Sequence, residues 1–177
     1  MFKVRDTTFS KGFTLVELLI VIAIISLLAS MILSSLNTAQ AKARDTRRQM
    51  DLDQVVKALS LYYAKNGDWI STASGCGNGG NGNGWFSSPY SPYKSIAQCL
   101  VDAGFTSVPI KDPTGGLTST PTVGFSYMKY HCTLVGKNVA YIFAKLETMP
   151  QSTTATDGTC CAVCDSNYGM NYFRRIE

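Results

Sequence analysis

The residue with the most chemistry in this chain is a carboxylate in an apolar setting. Lys11-Gly12-Phe13-Thr14-Leu15-Val16-Glu17-Leu18-Leu19-Ile20-Val21 places Glu17 inside an otherwise aliphatic run. An ionised side chain at bilayer depth costs about 2.5 kcal/mol or more without a partner, so Glu17 marks a function and requires a cation. The second set of reactive residues is six cysteines, Cys76, Cys99, Cys132, Cys160, Cys161 and Cys164, with the lone histidine His131 among them. An even number in a loop-rich segment reads as disulfides. Adjacent Cys160 and Cys161 are poor partners for each other, and the pairing favoured here is Cys76 with Cys99, with Cys132 tied to the Cys160 to Cys164 group. The rival is zinc held by Cys160, Cys161, Cys164 and His131-Cys132, but Cys-Cys-x-x-Cys is only half of a paired-ligand pattern. His131 reads as a strand-end side chain.

The elements that must position these residues follow from the pattern. Leu18 to Leu36 is apolar apart from Ser26, Ser30, Ser34 and Ser35, and about 20 such residues match the hydrocarbon thickness of a bilayer. No Gly or Pro occurs between Phe13 and Asn66, so one unbroken helix is predicted, straight because it lacks an internal Pro. Past Asn37 it turns amphipathic. Leu52, Val55, Val56, Leu59, Tyr62 and Tyr63 form the stripe expected to pack on a head, opposite Asp51, Asp53, Lys57 and Lys65. Lys65-Asn66-Gly67 supplies a helix stop, with the last turn at Lys65 to within two residues. Lys42, Arg44, Arg47 and Arg48 read either as a solvated face or as a contact for acidic surface on a neighbouring subunit or for anionic headgroups.

About 110 residues remain for one head. Gly75 to Gly84 is a glycine-dense loop without the Lys-Ser or Lys-Thr of a phosphate cradle. Strand-like alternation over Val123 to Tyr130 and Val139 to Leu146, with turn chemistry at Val135-Gly136-Lys137-Asn138, predicts an antiparallel hairpin, and Tyr168 to Phe173 offers a third strand. The fold class is therefore α+β, a long N-terminal helix with a membrane-spanning first half on a small antiparallel sheet. Of the 16 cations and 12 anions, three and one precede Phe13, so the rest carries a net charge of +2 and no strong nucleic-acid field.

Gly12-Phe13-Thr14-Leu15-Val16-Glu17 with the aliphatic run behind it resembles the class III signal of type IV pilins and type II secretion pseudopilins. The resemblance implies a pilin-like head, cleavage between Gly12 and Phe13 by a prepilin peptidase, and N-methylation of Phe13. It also implies an assembly role for Glu17, whose carboxylate would meet the new α-amino group of a neighbouring subunit. The implied organisation is a leader over 1–12, a long helix over 13–66 with its span at about 18–36, and a disulfide-rich head over 67–177. The implied partners are other copies in a helical polymer, the peptidase, an inner-membrane assembly platform, and the bacterial cytoplasmic membrane before assembly. The head would lie outside, ending in an extracellular or periplasmic filament, although the cations after the span outnumber those before it.

The chain is thus read as a structural filament subunit of a pilus. The alternatives are a secretion pseudopilin, or a minor pilin binding a receptor or nucleic acid through Trp85, Phe86, Tyr90 and Tyr93 beside Lys94. Asp112, Asp157 and Asp165 are scattered acids without a calcium-loop run, and no cofactor is expected. With one histidine, no nucleophile motif and no paired acids, an enzyme is not indicated.

Overall fold

The computed structural model describes residues 12–70, 75–77, 84–87, 92–114, 127–134, 137–150 and 168–176, giving the backbone alone for 132–134, 137 and 138. The chain divides into two compact units, Met1–Gln40 and Ala41–Glu177. One helix, α1 (Leu15–Asn66), runs through the boundary. It is unbroken because no residue in it lacks an N–H or carries the backbone freedom of glycine. In the first unit every residue from Gly12 to Gln40 is exposed.

The end of α1 follows its stop signal closely. Gly67 adopts φ +75°, and its N–H donates to the Tyr63 carbonyl at 2.8 Å, the single 5→1 bond of a left-handed cap. Asn66 adds a side-chain bond from Nδ2 to the Tyr62 carbonyl at 2.8 Å.

In the second unit a four-stranded antiparallel sheet has the order β1 (Gly84–Trp85), β2 (Met128–Leu134), β3 (Lys137–Ala144) and β4 (Tyr172–Ile176). The architecture is α+β. A short helix, α2 (Ile96–Asp102), is capped by Ser95, whose hydroxyl accepts from the Gln98 N–H. β3 is buried on both faces. Ala140, Ile142 and Ala144 share one core with Leu52, Val55, Ala58 and Leu59 of α1 and with Ile96 and Leu100 of α2. Val139, Tyr141 and Phe143 share a second core with Met128 and Met170 on the opposite face. The split is the period-2 alternation of a strand, small and aliphatic toward the helices and mostly aromatic away from them.

Three details differ from the sequence reading. The hairpin is tighter: its first strand lies further along the chain and its second begins earlier, with pairing carried to Leu134 opposite Lys137, so Lys137 and Asn138 extend a strand instead of lengthening the turn. The last strand likewise begins at Tyr172, since Asn171 is drawn to Leu146 by a side-chain bond in each direction. Asp51 is buried, because the Tyr127 hydroxyl donates to it at 2.7 Å.

Candidate functional site

The candidate site is the start of α1. Thr14 and Glu17 close a reciprocal cap: the Thr14 N–H and hydroxyl donate to Glu17 Oε2 at 2.9 and 2.8 Å, and the Glu17 N–H donates to Thr14 Oγ1 at 3.2 Å. This is a capping box, which satisfies N–H groups that an α-helix leaves unpaired at its first turn. The signature Thr-x-x-Glu was present in the sequence and went unread beside the stronger apolar signal. It holds the carboxylate in one orientation at the positive end of the helix dipole. Phe13 is 86% exposed, and a Cβ at Gly12 would meet nothing within 4 Å, so the Gly12–Phe13 peptide bond is open. Behind it α1 is the one helix among the described residues long and apolar enough to cross a membrane.

Within the basic cluster after the span, Arg44 and Arg48 are built into the head, while Lys42 and Arg47 stay on an exposed face. Arg48 has no exposed surface. Its Nε donates to Asp112 at 2.7 Å, and its Nη1 reaches Asp45 at 2.8 Å and Glu147 at 2.7 Å. Arg44 forks onto Glu147 at 2.7 and 2.5 Å. Asp45 also accepts from the N–H groups of Glu147 and Thr148, both at 2.8 Å, and from the Thr148 hydroxyl at 2.7 Å. Burial works against the charge on Asp45, but these donors outweigh it and hold its pKa below the usual range. The Arg44 hydrogen bond, seconded by Arg48, does the same for Glu147. Burial opposes the charge on Arg48 too, and its carboxylate partners more than offset that, keeping it a cation. Arg47 alone of the three arginines stays mainly exposed, reaching Asp51 at 3.1 Å.

The other singled-out residues fall as follows. Cys76 and Cys99 form a disulfide, tying the segment around Cys76, which bridges to Lys94, onto α2. Cys132 lies in β2 with only its backbone described, and Cys160, Cys161 and Cys164 lie outside the described residues, as do Tyr90, Asp157 and Asp165. His131 sits within β2 opposite Ala140, not at a strand end. Asp112 is taken by Arg48. Phe86 is core with no exposed surface, Trp85 packs edge-on against Tyr168, and Lys94 pairs with Asp102 at 2.6 Å. Of the aromatic set, Phe86 and Trp85 are thus taken up by the two cores, while Tyr93 stays half-buried.

Comparison with known proteins agrees on the N-terminal segment. The family model for the prokaryotic N-terminal methylation motif matches residues 8–33. A type IV wide pilus major component of Thermus thermophilus is 44% identical over 62 residues, 35% of this chain and 47% of that protein. A fimbrial protein of Neisseria meningitidis serogroup A is 36% identical over 70 residues, 40% of this chain and 41% of that protein. The chain thus carries the N-terminal methylation motif and is similar, over little more than a third of its length, to type IV pilins. A type IV major pilin of Neisseria gonorrhoeae, 34% identical over 70 residues, matches 40% of this chain and 42% of its own length. The matches thus span less than half the length of these pilin relatives, and no solved structure matches.

Proposed function

We propose that this chain is a structural subunit of a type IV pilus-like filament, made as a precursor, cut after Gly12, methylated at Phe13 and polymerised through the N-terminal half of α1. The observation that carries the reading is the exposed stretch from Gly12 to Gln40, aliphatic almost throughout, with Glu17 its one acid. Each Leu or Ile transferred from water into an apolar surrounding contributes roughly 1.5–3 kcal/mol. A bilayer can supply that surrounding to a single subunit, and a bundle of identical helices can supply it to a polymer. The three relatives are components of pili or fimbriae by name, which favours a pilus over a secretion pseudopilus.

Glu17 makes the bundle selective. Removing the leader creates an α-ammonium at Phe13, and a carboxylate beside it neutralises a charge that the bundle interior would otherwise reject. Thr14 pre-orients that carboxylate through Oε2. The peptidase, an assembly platform in the cytoplasmic membrane and a head on the outer side complete the scheme.

The test is to express Glu17→Ala and Glu17→Gln as sole subunits and compare membrane and filament fractions. Both variants should insert, since losing a charge makes the span more apolar. Both should fail to assemble, because breaking a buried pair costs about 3–5 kcal/mol at every subunit. Normal filaments from Glu17→Gln, which keeps an acceptor for the cap but no charge, would reduce Glu17 to a capping residue.

A further inference from the structure

The helix enters the second unit with charges where an amphipathic helix would carry apolar residues. Between Ala41 and Asp51 the buried side chains are Asp45, Arg48 and Asp51, and the apolar stripe starts only at Leu52. Their partners come from three separate places in the head. Asp112 follows α2, Glu147 and Thr148 follow β3, and Tyr127 precedes β2. Thr114 holds Asp112 in place from its own loop, through its N–H at 2.9 Å and its hydroxyl at 2.5 Å. Among the described residues, the charged groups that face one another here are Arg44, Asp45, Arg47, Arg48 and Asp51 of α1, with Asp112 and Glu147, four acids against three arginines.

We propose that this cluster is an acid-releasable latch, which fastens the segment from Ala41 to Asp51 to the head and lets it go, as a unit distinct from the stripe beyond Leu52, when the carboxylates are protonated. A buried arginine is tolerable only while its counter-charges persist, and among the described residues the part of α1 in the apolar core begins only at Leu52. Neutralising four acids leaves three positive charges together, and the segment then gains by moving into water. The apolar contacts of Leu52, Val55 and Leu59 are indifferent to pH, so the helix beyond should stay seated. Because the donors on Asp45 and Glu147 favour their ionised forms, release belongs below the ordinary carboxylate range of about pH 4. The latch does not depend on the chain being a filament subunit.

Segment-resolved amide exchange on the full chain in detergent, normalised to the exchange of an unstructured chain at each pH, tests this. Between neutral pH and about pH 2.5, peptides within 41–51 should lose at least about 100-fold in protection, while those within 52–63 and 139–144 keep theirs. Asp112→Asn with Glu147→Gln should reproduce the loss at neutral pH. Should that pair fail to fold, Arg48→Met gives the opposite sign: unbalanced carboxylates open the segment at neutral pH, and acid closes it. Unchanged protection of 41–51 in acid would overturn the latch, and so would its loss in step with 52–63 and the sheet.

Discussion

Lys129 stands in β2 with no exposed surface, its ammonium 3.3 Å from the Ile70 carbonyl. Burial disfavours its charge more than nearby Asp68 supports it, and its pKa is lowered to about 8. The unfolded chain, with an ordinary lysine near 10.4, then binds more protons than the folded one at pH values between. Stability should therefore rise with pH across this window and fall back as pH drops through 8. Tyr127 and Tyr130, whose pKa values burial raises, act in the opposite direction near pH 10, so the measurable range is about pH 8 to 9.5. Urea midpoints there should climb for the unaltered chain and stay flatter for Lys129→Met; parallel slopes would remove Lys129 as the cause. At this scale Glu17 was legible because a charge in an apolar run is conspicuous. Arg48 was not, since its acceptors Asp112 and Glu147 lie 64 and 99 residues away, and no local pattern separates a buried arginine from a solvated one.

Elements were legible where local chemistry decides them. The 52-residue helix follows from the absence of breakers, and its end from an Asn-Gly pair. Gly67→Ala tests that end. Space for a methyl exists, so the cost is the left-handed backbone alone, about 1–2 kcal/mol, read as a lower urea midpoint with an unchanged slope. No change in midpoint would mean that the cap is not strained by a side chain. The strands were found but misplaced by several residues; β3 is buried on both faces, so its alternation is one of size rather than polarity and does not mark its ends. Two elements were missed, the two-residue β1 and α2. The second had a readable Ser-x-x-Gln start at Ser95, yet seven residues are too few for a clear period.

At the scale of the molecule two economies of burial coexist. The second unit hides apolar side chains in two cores on either face of one sheet, and among the described residues of the first none is hidden. On the function proposed above, the surroundings complete that exposed apolar helix, first lipid and then copies of the chain. That reading was available from the sequence because it rests on a contiguous segment, whereas the head's packing depends on contacts between distant ones. The most direct test is to purify surface filaments from cells producing this chain and measure the intact mass and N-terminal sequence of their subunit. The subunit should begin with Phe13 and carry one added methyl group. Filaments whose subunit retains Met1 to Gly12, or cells in which the processed chain never leaves the membrane for a filament, would contradict it.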